Sequence, residues 1–303
     1  MLNQAIDNYL KIRRVAGFEL KVDEGLLHNY ARFATQRSET HVRRQTAIDW
    51  AAQAPSAHQR ERRLGMVRRF AEHARAEDPA HEYIPQHVFA YQRQRPFPTL
   101  FSPEQLRQLL DATARLRPKN SLRPHSYYTL FALLAVTGLR ISEALHLLLD
   151  DVTPDGLVVR KTKFHKSRLV PLHETTDAAL QRYLEQRQAV GGGDDHLFIS
   201  TTGGALTYAM VNGTFHYLTA SIDLGTKADG RRPRIHDLRH YFAVKALESC
   251  NGGRDAVARH LAALSTYLGH AHVTDTYWYL QATPHLMHDI ADACERCDGG
   301  GAS

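Results

Sequence analysis

The stretch 268-LGHAHVTDTYWYL-280 holds two histidines and two tyrosines. A phenol becomes a nucleophile at neutral pH only when a neighbour accepts its proton and a positive field steadies the oxyanion. Tyr277 and Tyr279 are two apart; on a helix they would point about 200° away from each other, so a single site takes only one of them. Groups that could supply the field lie elsewhere. In 137-TGLRISEAL-145, Arg140 follows a Gly-Leu break at a helix start, and Glu143 three residues on is its natural acidic partner. In 233-PRIHDLRHYFAV-244, His236 and Arg239 are three apart and share one face of a helix. Lys163 stands in a polar connector, KTKFHKS, between two β-rich runs.

The same histidines invite a metal reading. His236 and His240 are four apart, and His270 with His272 forms an H-x-H pair. A zinc protease of that spacing needs glutamate directly after the first histidine, where this chain has Asp237. Arg239 between the would-be ligands would repel a cation, so no metal is expected. Cys294 and Cys297 form a C-x-x-C without the second pair that zinc requires, and they are expected to be free thiols.

These residues need elements to position them. Apolar spacing predicts helices over 2–16, 22–37, 40–53 and 57–77, a small N-terminal helical domain over 1–88. Three prolines in 85-PQHVFAYQRQRPFPTL-100 predict an extended linker, 89–100. Ser102, Pro103 and Gln105 mark a capped helix start. The apolar run from Tyr127 reads as a buried helix ended by Gly138, followed by a helix over 141–149. The runs LVV and RLVPL within 156–172 predict a small β-hairpin. Helices are then expected over 174–189, 207–222, 236–248, 254–268 and 273–281, with a tail over 291–303. The fold class is therefore mostly α with a small antiparallel sheet.

Charge is unevenly placed. The chain of 303 residues carries a net +6, and residues 1–100 hold 16 Lys/Arg against 11 Asp/Glu, which accounts for most of the excess. Arg43, Arg44, Arg60, Arg63 and Arg68 lie in its densest part, a composition suited to a phosphate-facing surface. No run is long and apolar enough to predict a membrane span, and three cysteines form no disulfide framework. A cytoplasmic protein is expected.

Taken in order, T-G-L-R, the basic hairpin ending R-L-V-P-L, H-D-L-R-H, L-G-H and a closing tyrosine resemble the tyrosine recombinase (phage integrase) family over 101–290. The N-terminal helices resemble its core-binding domain in architecture only. One departure is the span from Arg239 to His270, which suggests an extra loop near 249–256. The resemblance implies a catalytic set of Arg140, Lys163, His236, Arg239, His270 and Tyr279, with Glu143 in support. It implies Tyr279 as nucleophile, since that residue follows His270 by nine positions. His236 would be the base, His270 would bind the scissile phosphate or assist, and Lys163 would donate the proton to the leaving oxygen. It further implies strand cleavage through a 3′-phosphotyrosine, needing neither ATP nor a cofactor. The partners would be double-stranded DNA bearing recombination sites, other copies of the chain in a tetramer, and accessory proteins. Two alternatives share the signals: a type IB topoisomerase, which would relax supercoils as a monomer, and a DNA-binding regulator without catalysis.

Overall fold

The computed structural model describes residues 2–89, 99–160, 167–191, 194–224, 232–250, 254–269 and the single positions 272, 276 and 279. The chain divides into two compact units, Met1–Pro96 and Phe97–Ser303.

The N-terminal unit is built from α1 (Leu2–Val15), α2 (Lys21–Thr35), α3 (Arg44–Ala52) and α4 (Ala57–Glu77). Their apolar stripes meet in a core that includes Ile6, Leu10, Leu27, Tyr30, Trp50, Leu64, Val67 and Phe70. The Trp50 indole donates to Asn29 Oδ1 at 2.8 Å, so its one polar atom is satisfied at the edge of that core. The third helix starts four residues later than its periodicity predicts. The reason is long-range: Val42 N donates to His81 Nδ1, Glu82 N to Val42 O, and Arg44 N to the Glu82 carboxylate. Residues 42–44 are thereby paired with the chain beyond α4, and Glu82 serves the free N–H groups at the start of α3. Ile84 is buried, and Val88 and Phe89 pack on the same core. The rest of the expected linker, 90–98, lies outside the described residues.

The second unit opens with α5 (Pro103–Ala112), whose Ser102 and Gln105 close the reciprocal cap that the sequence predicts. Next come α6 (Leu122–Thr137) and α7 (Ile141–Leu145), then β1 (Val152–Thr153), β2 (Gly156–Val159) and β3 (Arg168–Val170), an antiparallel sheet in that order. Four helices complete the described unit: α8 (Glu174–Val190), α9 (Tyr208–Ser221), α10 (His236–Glu248) and α11 (Arg254–Leu268). Helix α6 lies between α8 and α10, and its Leu130, Phe131 and Leu134 share one core with Tyr183, Phe198, Phe215 and Leu238. Helix α7 stops at Leu145 rather than 149. Leu197 N donates to Leu147 O and Leu149 N to Asp195 O, so the backbone after α7 pairs with 195–197 instead of continuing the helix. Strand β1, two residues long, was too short for alternation to reveal. Among the described residues no helix is long and apolar enough to cross a membrane.

Candidate active site

The site begins with a glycine. Gly138 ends α6 in the left-handed region (φ +62°), and a Cβ there would lie 2.4 Å from a ring carbon of Phe242. Both the turn and the close approach of α10 therefore require a residue without a side chain. The turn delivers Arg140 to the N-cap of α7. Its backbone N donates to Glu143 Oε2 at 3.0 Å, and its Nη1 to Glu143 Oε1 at 2.8 Å. Its Nη2 donates to the Gly269 carbonyl at 2.9 Å.

Glu143 also accepts both terminal nitrogens of Arg168 on β3, at 3.1 and 2.8 Å. Burial alone would raise this carboxyl, but the hydrogen bonds from Arg168 and then Arg140 outweigh it and hold the group at about 2. Arg168 was absent from the residues singled out in the sequence. Its only signal was its place as the arginine of R-L-V-P-L.

Arg239 comes from the buried face of α10. Its Nη1 donates to Gly138 O at 2.6 Å and its Nη2 to Leu268 O at 2.7 Å, and the residue is 2% exposed. Burial, and next the charge of Arg140, lower its pKa to about 10, while the Tyr279 and Glu143 charges act in the opposite sense. It is a cation at neutral pH. Arg140 and Arg239 thus hang from the carbonyls of consecutive residues, Gly269 and Leu268, which draws two guanidinium groups into one place.

Tyr279, also 2% exposed, packs with α10 and α11. Its phenol oxygen lies 3.0 Å from Nδ1 of His240. The exposed His236 ring stands edge-on to that of His240, with centroids 4.6 Å apart. His240 entered the sequence reading only as a possible metal partner of His236; that it faces the phenol depends on how the end of the chain folds back on α10. Asp237, fully buried, accepts Arg234 N at 2.8 Å and the Arg234 guanidinium at 3.2 Å. Lys163, His270 and Tyr277 lie outside the described residues, as do Cys294, Cys297 and most of the helix expected over 273–281.

The arginines expected to face phosphate are largely engaged within their own unit. Arg43 pairs with Glu82, Arg44 Nε donates to Tyr83 O, and Arg60 Nε donates to Ala54 O. Arg63 lies over the Trp50 ring and Arg68 beside Glu61. Arg43 and Arg44 are exposed, whereas Arg60, Arg63 and Arg68 are half-buried; the exposed arginines of α4 are Arg62, Arg69 and Arg75.

In the same unit the ligand atoms of His41, Asp78 and His81 fall within 4.8 Å of one another. The Val42 N–H bonded to His81 Nδ1 leaves the ring proton on Nε2. His41 Nε2 is 3.0 Å from the Asp78 carboxylate. These bonds tie the start of α3 to the end of α4, a structural role.

Residues 100–285 match the phage integrase family. A Sinorhizobium fredii protein named as an integrase/recombinase, y4rB, is 39% identical over 97% of this chain and 96% of its own length. The tyrosine recombinase XerD of Caulobacter vibrioides is 31% identical over 76% of this chain and 72% of its own. The fold is similar to that of the Tn1549 transposon integrase in complex with a circular intermediate DNA (TM-score 0.67, 18% identity, 98% of this chain and 99% of that one). It is similar as well to that of a lambda integrase dimer bound to a core site (TM-score 0.63, 18% identity, 92% and 94%). With Arg140 and Arg239 drawn together and the family's model matched over most of the second unit, the chain belongs to the phage integrase family, the tyrosine recombinases, enzymes that cut and rejoin DNA strands.

Proposed function

We propose that this chain acts on double-stranded DNA at specific recombination sites, through a covalent 3′-phosphotyrosine at Tyr279 and without ATP or metal. The observation that supports this reading most is the pairing of Arg140 and Arg239 on adjacent carbonyls, with Tyr279 packed against α10, the helix that carries Arg239. Attack of the phenol oxygen on phosphorus forms a P–O bond as the P–O5′ bond breaks, and charge gathers on the non-bridging oxygens. Forked guanidinium groups match that charge geometrically and keep their protons. Glu143 holds Arg140 in place and does not react. Lys163 supplies the proton that the leaving 5′ oxygen needs. His270 assists at the scissile phosphate, and His236 stands at the exposed side of the same centre. Because the strand's bond energy is kept in the phosphotyrosine, a second 5′-hydroxyl reseals without an energy source. Exchange between two DNA sites calls for a tetramer of the chain, with accessory proteins to bend the DNA where a locus requires it.

The test uses nicked suicide duplexes recovered by binding selection from a random pool. Wild-type protein should form a denaturation-resistant adduct in excess EDTA. Tyr279→Phe should bind the same duplex and form none, while Tyr277→Phe should retain cleavage. An adduct formed normally by Tyr279→Phe, or activity lost to EDTA and restored by Zn²⁺ alone, would overturn the proposal.

A further inference from the structure

We infer that His240 accepts the phenolic proton of Tyr279, and that buried Asp237 sets the ring's tautomer for that task. The inference rests on the proposed role of Tyr279 as nucleophile and concerns which residue activates it. Nδ1 of His240 lies 3.0 Å from the phenol oxygen, within reach of direct proton transfer. The opposite ring nitrogen, Nε2, faces Asp237 Oδ1 at 4.0 Å. That distance is too long for a hydrogen bond, but both groups are buried and the attraction between them is little screened by solvent. A carboxylate on the Nε2 side favours a hydrogen there, which leaves the Nδ1 lone pair turned to the phenol. The arrangement is nucleophile, base and orienting carboxylate in sequence, the general logic of an activated hydroxyl.

Two positions of one helix turn build it with Tyr279. Asp237 and His240 are neighbours three apart on α10, and both are buried. Asp237 Oδ1, the oxygen that faces the ring, also accepts the half-exposed Arg234 guanidinium at 3.2 Å, which fixes the carboxylate in place. Among the described residues, the charged and titratable groups around the pair include Asp237 and His236 on the same helix, Arg234 just before it, Tyr279 opposite, and Arg239, whose own charge feels Arg140, Glu143 and Arg168. In cleavage the Tyr279 oxygen bonds to phosphorus, its proton moves to His240 Nδ1, the P–O5′ bond breaks and the 5′ oxygen is protonated by Lys163. In resealing the incoming 5′-hydroxyl returns its proton to Lys163, and the departing phenolate takes its own back from His240. A ring only 6% exposed keeps that proton from bulk water between the two steps.

His240→Asn separates proton transfer from positioning, because the amide oxygen can still accept the phenol's hydrogen bond but takes up no proton. With DNA affinity unchanged, adduct formation at pH 7 should fall about a hundredfold or more. The deficit should narrow as pH climbs toward the ordinary phenol value near 10. Wild-type protein should show an inflection in its pH profile that His240→Asn lacks, and His236→Asn, though slower, should keep it. Cleavage by His240→Asn within a few-fold of wild type, or with the wild-type pH profile, overturns the inference and leaves Tyr279 as nucleophile untouched. Absence of any Tyr279-dependent adduct in wild-type protein would instead sink the underlying proposal. Nitrogen-15 histidine spectra of the wild-type chain give a reading independent of how the variant folds. The ring that responds to Tyr279→Phe should carry its hydrogen on Nε2 at neutral pH; a hydrogen on Nδ1 would refute proton acceptance.

Discussion

Glu143 holds two arginines with one carboxylate, and its titration should be visible in the stability of the whole unit. Its folded value of about 2 lies below the ordinary 4.5. A carboxyl lowered on folding contributes stability that is complete above its unfolded value and lost as pH falls from about 4.5 toward 2. The difference corresponds to roughly 3 kcal/mol at neutral pH. Glu143→Gln should therefore cost about 3 kcal/mol in denaturant unfolding at pH 7, and its stability should change less than that of wild type between pH 5 and 2. Equal acid sensitivity in both proteins would show that Glu143 is not the group being titrated. The Arg140 partnership was legible in the sequence, because three residues on a helix start bring the two side chains together. Arg168 was not, since it reaches Glu143 from a strand 25 residues away.

At the scale of elements, α4 separates two kinds of arginine that a count of charges merges. Arg62 and Arg69 are seven residues apart, so they stand within about 20° of each other on the exposed face. Arg60, Arg63 and Arg68 are turned toward Ala54 O, Trp50 and Glu61. If α4 faces DNA phosphates, Arg62→Ala with Arg69→Ala should reduce the log–log salt slope of DNA binding by about two. The Arg60, Arg63 and Arg68 alanine variants should instead lower the melting temperature of the N-terminal unit, with a smaller change in slope. A slope unmoved by the first pair would remove this helix face from the DNA interface. The helix ends follow the same division between local and distant causes. Ser102 with Gln105 and the Gly138 stop were readable because a cap is made by neighbours in the chain. The late start of α3 and early stop of α7 were not, because residues 81–82 and 195–197 cause them.

At the scale of the whole molecule, each unit has its own apolar core, and the N-terminal one should fold without the other. Residues 1–96 expressed alone should give a helical circular dichroism spectrum and a cooperative thermal transition; a spectrum of unfolded chain would show that the unit depends on the remainder. The sequence alone determined the class of the fold, the order of most helices and the family, because these depend on periodicity, capping and motifs that neighbouring residues carry. Only the tertiary structure decided which ring nitrogen meets the Tyr279 phenol, that Arg168 shares Glu143, and that Arg239 is anchored by carbonyls 101 and 29 residues away. The physical reason is range. A hydrogen bond acts over about 3 Å, and residues far apart in the chain come within that distance only after the helices and sheet have packed.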